Sequence, residues 1–299
     1  MRLDPRMLRQ FLAVCREGSI SRAAKSEHVS QPSVSMAIGQ LERVLGVKLF
    51  HRTHKGVLLT SAGEALKLKA LAIENLLVTA QEEIKSLADE VSGPLHIGGT
   101  PGAMSSVMGE VIREFCGKYP SFKIKLTECH EATAHRLLKT YDLDIAILTA
   151  GPYSLSDDFT ELPLFSDSLL LVTGKANSHL PDHVNIAELA RHRWLLPDKV
   201  SGFKHQINTL FLDNDIPLPS NVIYTDSLLT LKRILINSDY LAILPRDVVK
   251  SELESRQLRS IEINNFDSRR RVGLIWLAER DLSPFAKAFV GHASECIYS

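Results

Sequence analysis

Polar side chains that can hydrogen-bond to nucleic-acid bases are concentrated between Ser30 and Gln40. Ser30 is a favourable N-cap and Pro32 suits a first helical turn, so the pattern predicts a helix that begins here. Glutamine and serine can hydrogen-bond to base edges in a DNA major groove, and methionine can contact a thymine methyl group. The predicted base-contacting face consists of Ser30, Gln31, Pro32, Ser33, Ser35, Met36 and Gln40.

A basic turn follows this helix and lies between two apolar runs. Arg52, His54 and Lys55 separate residues 47–50 from residues 57–59. The pattern predicts a small β-hairpin, here called the wing, whose basic side chains lie against the DNA backbone or in the minor groove. Ser21 and Arg22, on the preceding helix, complete the predicted contacts with DNA. The alternative is a helical subdomain whose residues serve only packing.

The charge distribution supports a polyanionic partner for this end of the chain. Residues 1–60 contain ten basic and four acidic residues, a net charge of +6, whereas the whole chain is neutral. The other 239 residues therefore carry −6 by difference. A basic end on a neutral chain favours binding of nucleic acid at that end alone. Chance clustering on a solvated surface is the alternative.

Three short helices must position these side chains. Apolar residues at helical spacing predict a first helix that ends near Gly18, and Ser19 can cap a second that passes through Ala23 and Ala24. A tight turn at residues 29–32 then leads into the third helix. The predicted buried residues of this third helix are Val34, Ile38, Leu41 and Leu45.

A long connector helix is predicted at residues 61–91. Two apolar series repeat every seven residues, offset by four and three, which is the pattern of a coiled-coil seam. The series are Leu66, Ile73, Ala80 and Leu87, and Ala70, Leu77, Ile84 and Val91. Such a narrow stripe favours dimerisation, with packing on the chain's own C-terminal region as the alternative. Ser92-Gly93-Pro94 is predicted to break the helix and act as a hinge.

The remaining two-thirds of the chain alternates strand and helix patterns. This alternation predicts parallel sheets covered by helices, in two lobes because the strands are too many for one sheet. The predicted lobes are about 94–163 with 268–299, and about 164–267. The predicted strands are 95–98, 123–127, 143–148, 168–173, 194–196, 222–224, 240–243, 258–263 and 271–277, and the predicted helices include 101–119, 133–141 and 284–298.

The N-terminal residues resemble the winged helix-turn-helix of the LysR-type transcriptional regulators. The residues that carry this resemblance are Phe11, Ala13-Val14, Gly18-Ser19, Ala23-Ala24, Ser30-Gln31-Pro32-Ser33-Val34-Ser35, Ile38, Leu41-Glu42, Leu45-Gly46, Leu49-Phe50, Arg52, Leu59-Thr60 and Gly63. Lys55 stands where arginine is common in this family, and Met36 and Gly39 stand where larger polar side chains are frequent. The resemblance therefore implies the family role but not the base preference.

The resemblance also implies the architecture of the rest of the chain. The implied fold class is multidomain α and α/β: a winged helix-turn-helix at 1–60, a dimerisation helix at 61–91, and a two-lobed domain at 92–299 similar to periplasmic binding proteins. A paired linker helix would place two recognition helices on an inverted-repeat operator. The family favours a tetramer, and the residues alone leave dimer or tetramer open.

A small-molecule effector is expected in the cleft between the predicted lobes, where strand C-termini face helix N-termini. Hydroxyls beside helix N-termini favour a carboxylate or a similar anion. The structural alternative is that these serines and threonines only cap helices. The candidate effector-binding residues are Thr100, Pro101, Gly102, His130, Thr149, Ser201, Gly202, Phe203, Thr225 and Asp226.

No known catalytic motif is present in the sequence. It contains no P-loop, GxSxG, HExxH or zinc-ligand spacing, so no enzymatic activity, metal or cofactor is expected. The four cysteines are expected to be free thiols, with a redox pair of Cys116 and Cys129 as the alternative. We also expect no signal peptide and no membrane span, and hence a cytoplasmic protein.

The predicted function is a sequence-specific transcriptional regulator that binds double-stranded DNA and responds to an effector, which we expect to be anionic. The first alternative is a constitutive or redox-responsive regulator without an effector. Others are a solute-binding protein, an enzyme with an appended DNA-binding module, and an architectural DNA-binding protein. RNA polymerase is a further candidate partner.

Overall fold

The computed structural model describes residues 3–54, 56–150, 156–198, 202–264, 266 and 268–298. The chain divides into two compact units. The first consists of Met1–Pro94 with Arg136–Leu143, and the second consists of Leu95–His135 with Asp144–Ser299.

The first unit contains the three predicted short helices, the wing and the long helix. In chain order these are α1 (Pro5–Glu17), α2 (Ile20–Ser26), α3 (Gln31–Leu45), β1 (Phe50–Thr53), β2 (Gly56–Leu59) and α4 (Ser61–Ala88). Gly18 ends α1 with a left-handed φ of 62°, and the Ser19 hydroxyl caps α2. Strands β1 and β2 pair antiparallel, with Phe50 opposite Leu59. The predicted hairpin is therefore confirmed.

The core of this unit lies where α1, α2 and α3 meet. Phe11 is fully buried there, and Val34, Ile38 and Leu41 of α3 pack in the same core. The prediction for Leu45 is wrong, because this side chain is 37% exposed. Position 45 is the last residue of α3, and the fully buried Leu49 joins the core after the turn instead.

Two polar side chains fix the hairpin to the helices on either side. The Glu42 carboxylate of α3 accepts hydrogen bonds from the Leu49 N–H at 3.0 Å and from Lys48 Nζ at 2.6 Å. The Thr60 hydroxyl caps α4 and donates to the Lys48 carbonyl at 2.7 Å. Gly63 allows a close approach, because a Cβ there would lie 2.3 Å from the Leu49 carbonyl oxygen. Together these contacts position β1 relative to α3 and α4.

Helix α4 presents an apolar stripe beyond the core. Ala70 is buried, whereas Leu77, Ile84 and Leu87 of the predicted seam are 53%, 68% and 75% exposed. The helix ends at Ala88, and residues Ser92–Gly99 form strand β3. The helix therefore ends before the predicted break at Ser92-Gly93-Pro94, and these residues extend along a strand where the first unit gives way to the second. The hinge itself stays a prediction.

The second unit alternates helices and strands through to the C-terminus, as predicted. The elements after β3 are α5 (Pro101–Cys116), β4 (Phe122–Glu128), α6 (Glu131–Lys139), β5 (Ile145–Ala150), β6 (Phe159–Gly174), β7 (His183–Val184), α7 (Ile186–Leu189), β8 (Arg193–Leu196), α8 (Gly202–Leu212), β9 (Val222–Tyr224), α9 (Leu228–Ile236), β10 (Tyr240–Pro245), α10 (Arg246–Glu254), β11 (Leu258–Ile263), β12 (Arg269–Leu277) and α11 (Pro284–Tyr298).

The prediction of purely parallel sheets is wrong. The strand order is β4-β3-β5-β12-β6-β10-β8-β9, with β11 also paired to β6. Strand β12 is antiparallel to both β5 and β6, and β6 is antiparallel to β10 and β11. The parallel pairs are β3 with β5, β8 with β9, β8 with β10, and β7 with β11. Because the long strands β6 and β12 run antiparallel to their neighbours, the sheet is mixed.

Strand β6 belongs to both halves of the second unit. Its first part pairs with β12, and residues from Leu169 onward pair with β10. One hydrophobic core, around Phe115 and Phe289, draws on residues 95–164 and 272–293. Two further clusters, around Trp194 and around Leu235, draw on residues 169–263. The predicted lobe boundaries stay predictions, and β6 and β12 are the strands that join the two sets of residues.

Candidate DNA interface and ligand pocket

The first turn of α3 exposes part of the predicted base-contacting face. Gln31 and Pro32 are exposed, and the Met36 side chain is 67% exposed one turn later. The Ser30 hydroxyl caps the helix by accepting from the Ser33 N–H at 3.3 Å, and it lies 2.9 Å from the Ser33 hydroxyl. Ser35 and Gln40 are half-buried. The structure thus uses Ser30 and Ser33 to start the helix and leaves Gln31 and Met36 facing solvent.

Helix α2 presents an exposed Ser21, but its Arg22 has internal partners. Arg22 Nε donates to the Glu17 carbonyl at 3.0 Å, and Nη2 donates to the same oxygen. This guanidinium therefore fastens the start of α2 to the end of α1. Its predicted contact with DNA stays a prediction and would compete with these hydrogen bonds.

The wing is anchored to the turn between α1 and α2. The Val57 N–H donates to the Gly18 carbonyl at 3.0 Å, and Gly56 has a φ of 137°. A Cβ at Gly56 would lie 2.2 Å from the Gly18 carbonyl oxygen, so only glycine fits this approach. His54 is exposed in the turn of the wing. Lys55 and the Arg52 side chain lie outside the described part of the chain.

Most acidic side chains near this surface are held in internal ion pairs. Glu27 lies between Arg9 and Arg16, with N–O distances of 3.0 and 3.1 Å, and its side chain is 12% exposed. Glu42 pairs with Lys48. Because these carboxylates are paired and face inward, they repel a nearby phosphate backbone less than free surface acids would.

A pocket in the second unit gathers most of the predicted effector-binding residues. Its empty space is about 1050 Å³ when open solvent at its mouth is included. The predicted residues that line it are Thr100, Pro101, Gly102, His130, Thr149, Thr225 and Asp226. Their role in ligand binding stays a prediction.

The other predicted residues fall at the start of α8. Ser201 lies outside the described residues, and so does the Phe203 side chain; Gly202 is the first residue of α8. Gln206, one turn further along α8, lines the pocket instead. Helical spacing from Gly202 could have identified it.

Sequence analysis missed several lining residues. Leu244 and Pro245 end strand β10, so the same strand-end rule could have found them. The apolar side chains and Arg270 carry no such local signal. The full set that was missed is Glu131, Leu195, Pro197, Gln206, Leu228, Leu231, Ile243, Leu244, Pro245, Val248 and Arg270.

Thr100 occupies the N-cap position of α5 without capping it. Its backbone is extended, with φ −71° and ψ 145°, and its side chain makes no capping hydrogen bond. The alternative in which this hydroxyl only caps the helix is therefore wrong for Thr100. The Thr100 hydroxyl is thus available to a ligand at the start of α5.

Arg270 lies beside the first turn of α5. A Cβ on Gly102 would lie 3.7 Å from Arg270 Nη2 and 3.3 Å from Pro245 Cγ. The guanidinium is bound to Asp167 Oδ2, with distances of 3.2 Å from Nε and 2.7 Å from Nη2. The Arg270 and Asp167 side chains are 4% and 2% exposed, and the two residues are cross-strand partners on β12 and β6.

The electrostatics of the pocket are mixed. The helix N-terminus of α5 and Arg270 favour an anion, but Asp167 already balances the charge of Arg270. Glu131 and Asp226 also line the pocket, and Asp226 Oδ1 accepts from the Asp198 N–H at 3.2 Å. Nearby, burial and the charge of Asp167 raise the pKa of the Asp247 carboxyl. The lining therefore places an anion-favouring helix N-terminus near Thr100 and hydrogen-bond acceptors at its acidic residues, and the charge of the ligand stays a prediction.

All four cysteines are free thiols. Burial raises the pKa of Cys15 to about 12 and that of Cys296 to about 11, and it also raises the pKa of Cys116. Because the thiolate is the reactive form, these environments disfavour oxidation. They weigh against the redox-responsive alternative for Cys116.

None of the described helices combines the length and the apolar character that crossing a membrane requires.

Two family models match the chain. The model described as the LysR substrate binding domain matches residues 88–296. The model described as the bacterial regulatory helix-turn-helix protein, lysR family, matches residues 5–64. One match therefore lies in the first unit and the other falls mainly in the second, with residues 65–87 between them.

Individual regulators show the same similarity. The RuBisCO operon transcriptional regulator of Allochromatium vinosum is 26% identical over 97% of this chain and 95% of its own length. The HTH-type transcriptional regulator YofA of Bacillus velezensis is 37% identical over 58% of this chain, a match that spans 60% of that regulator. The crystal structure of CbnR, a LysR family transcriptional regulator, superposes with a TM-score of 0.71 at 20% identity, covering 99% of both chains.

Proposed function

The chain belongs to the LysR family of DNA-binding transcriptional regulators, and we propose from this premise that it binds an inverted-repeat operator as a dimer under the control of a small effector. We further propose that the effector carries an anionic group and binds in the pocket beside Thr100. The observation that carries the effector proposal is the uncapped Thr100 hydroxyl at the start of α5, with Arg270 beside the same turn.

The DNA contact proposed here uses the exposed start of α3 together with the wing. Gln31 and Met36 face solvent on the first two turns, where a recognition helix contacts base edges. His54 lies in the turn of the wing, with Arg52 and Lys55 on either side of it in sequence. Ser21, Ser35 and Gln40 are proposed as supporting contacts.

The dimer contact proposed here uses the exposed stripe of α4. Leucine and isoleucine side chains that are half to three-quarters exposed along one helix are costly in water, and a second copy of the same stripe would bury them. A dimer presents two copies of α3, which fits an operator made of two inverted half-sites. A tetramer built from two such dimers and contact with RNA polymerase stay proposals for the DNA-bound state.

The proposed control of DNA binding by the effector acts through β6 and β12, the two strands that join the two sets of core residues. Strands β6 and β12 meet at Asp167 and Arg270, and Arg270 lines the pocket. A ligand that contacts Thr100 on α5 and Pro245 at the end of β10 would favour one arrangement of the two lobes over others. Differential affinity of this kind is what lets an effector shift a conformational equilibrium.

Thermal unfolding with a panel of small carboxylates and their neutral amides tests the effector proposal. The wild type should be stabilised by at least one carboxylate and not by its amide, because only the carboxylate matches the start of α5. Thr100→Val should lose that shift. Ser105→Ala on the same helix, outside the pocket lining, should retain it. Stabilisation by the amides alone would contradict the anionic part of the proposal.

A further inference from the structure

A sulfur, a nitrogen and an oxygen ligand converge at the far end of α5 from the pocket. Cys296 Sγ lies 3.1 Å from Glu114 Oε2 and 3.1 Å from His292 Nε2. All three ligand atoms lie within 4.8 Å of one another. His292 and Cys296 are one turn apart on α11, so both side chains project from the same face.

We propose that Glu114, His292 and Cys296 form a zinc-binding site with a fourth position open to water. Cysteine, histidine and carboxylate are the three ligand types that zinc takes in proteins, whereas calcium and magnesium avoid sulfur. A tetrahedral zinc ion with bonds of about 2.0–2.3 Å places its ligand atoms about 3.6 Å apart. The two distances from the sulfur therefore need to lengthen by about 0.5 Å. The distance between the nitrogen and the oxygen, which is within 4.8 Å, needs to settle near the same value.

The surroundings hold the ligands in place and leave a route for the ion. His292 is 8% exposed, and its ring lies 5.7 Å from the Phe115 ring between centroids. Phe115 in turn packs edge-on against the buried Phe289. Glu114 is exposed and Cys296 is half-buried, so an ion can enter from solvent. Packing thus fixes one ligand while the other two can adjust.

A hydrogen-bonded chain connects these groups in the metal-free protein. Lys118 Nζ lies 3.0 Å from His292 Nδ1, so the ammonium donates and Nδ1 accepts. The His292 Nε2–H then points to Cys296 Sγ, and the thiol donates to Glu114. Zinc bound at Nε2 requires the imidazole proton on Nδ1, where it would face the ammonium of Lys118. The thiol proton goes to solvent.

Lys118 should therefore compete with zinc. Its side chain is exposed, so it can turn into solvent when an ion binds, but this costs the hydrogen bond to His292. Removing the ammonium should free Nδ1 to carry the proton. Lys118→Met is thus expected to tighten zinc binding, an effect that a purely structural cluster would not show.

The site would be separate from the effector pocket, and it does not depend on the proposed function. Glu114 lies 12 residues beyond Gly102 on α5, which corresponds to about 18 Å along the helix. A bound ion would link α11 to α5, the helix whose first turn lines the pocket. Zinc should therefore raise the unfolding temperature of the full chain.

Zinc titration of the metal-free full-length protein, with a buffered free-ion concentration, tests the proposal. One zinc ion should bind per chain, and Cys296→Ser and His292→Gln should each weaken binding at least tenfold. Cys116→Ser, a cysteine on α5 outside the cluster, should leave the affinity unchanged within about twofold. Magnesium should not bind there. Cobalt in place of zinc should show a thiolate charge-transfer absorption in the wild type and in Cys116→Ser, and this absorption should be absent from Cys296→Ser.

Equal zinc affinity in the wild type and in Cys296→Ser would overturn the proposal. Absence of the thiolate absorption with cobalt, or no zinc bound at all, would do the same. Glu114→Gln removes a ligand from an exposed position and is expected to fold, so it provides a second variant if substitutions on α11 unfold the chain. Its zinc affinity should also fall, and an unchanged affinity would contradict the oxygen ligand.

Discussion

Arg270 and Asp167 face each other across β12 and β6 with both side chains almost fully buried. Moving two charges out of water costs nearly as much free energy as their mutual attraction returns. The pair as a whole therefore need not add much to the free energy of unfolding. Removing only one partner is different, because it leaves the other charge buried without compensation. Where β6 and β12 pair, each of these two residues therefore needs the other for the stability of the fold.

Asp167→Asn should destabilise the protein by about 3–5 kcal/mol, because the Arg270 guanidinium would stay buried without its carboxylate. Urea unfolding at neutral pH measures this. The double variant Asp167→Asn with Arg270→Met should recover most of the loss.

Asp281→Asn is the matched control. Its pair with Lys287 is exposed, so a change of no more than about 1 kcal/mol is expected. A loss below about 1 kcal/mol for Asp167→Asn would contradict the mutual dependence of the buried pair.

At the start of α3, Gln31→Ala should change base preference. Loss of one side chain that contacts base edges costs about 1–3 kcal/mol at its base pair and relaxes selection there. Arg52→Ala should instead weaken binding to all duplexes alike, because a contact to phosphate carries no sequence information. Binding to duplexes substituted at each position of a half-site measures both. An unchanged base preference in Gln31→Ala would mean that Gln31 does not contact base edges, and it would contradict the proposed position of α3 on DNA.

Single residues could be predicted where the signal is local. The Ser30 cap, the exposure of Met36 and the position of Thr225 at a strand end all follow from neighbours a few residues away. Arg270 and Asp167 are 103 residues apart, and neither has a local pattern that marks it as part of the pocket. The absent Thr100 capping bond depends on a side-chain rotamer, which spacing does not determine.

At the scale of elements, Glu42 links the end of α3 to the start of β1. Burial alone would raise the pKa of its carboxyl, but hydrogen bonds from Lys48 and from the Leu49 N–H lower it overall. A lowered folded-state pKa means that this carboxylate stabilises the fold above its unfolded pKa of about 4.3. That contribution is lost as pH falls through the folded value.

Glu42→Gln should therefore destabilise the protein by about 1–3 kcal/mol at pH 7. The difference from the wild type should shrink as pH falls below about 4.3, because the carboxyl of the unfolded chain then takes up a proton first, and it should vanish once pH falls through the lower folded value. Thermal unfolding across this range measures the difference. Glu64→Gln, an exposed residue on α4, should show little effect at any pH. A difference that did not depend on pH would contradict a role for the charge of Glu42.

The α4 stripe makes a prediction about assembly. Ile84→Glu with Leu87→Glu should weaken the dimer at least tenfold, because four charges would meet in the paired seam. Val78→Glu is the matched control, since Val78 is 49% exposed on α4 but outside both seven-residue series. Sedimentation equilibrium measures both. Dissociation by Val78→Glu alone would move the interface to another face of α4.

Elements with long sequence patterns were predicted more completely than elements with short ones. Helix α4 and the terminal helix α11 have long unbroken patterns, and both are confirmed. Strand β6 was predicted only over residues 168–173, towards its C-terminal end. Its earlier half pairs with β12, more than 100 residues away, so the direction of both strands depends on contacts that a local pattern does not contain.

At the scale of the whole molecule, the two units have different proposed tasks. The first unit contains α3, the wing and the exposed stripe of α4, and the second contains the pocket beside Thr100. The order of these tasks along the chain could be predicted from the charge of +6 in residues 1–60 and from the change to strand-helix alternation after residue 94. The identity of the effector depends on the mixed charges of the pocket, which arise only in the folded chain.

The central claim is that the chain binds DNA as a dimer with base-specific contacts. Selection from a pool of randomised duplexes tests it most directly. The selected duplexes should contain two inverted half-sites, with centres separated by a multiple of about 10–10.5 base pairs. The Ile84→Glu with Leu87→Glu variant should fail to select the paired sites. Selection of no common sequence, or of a single half-site by the wild type, would contradict the account.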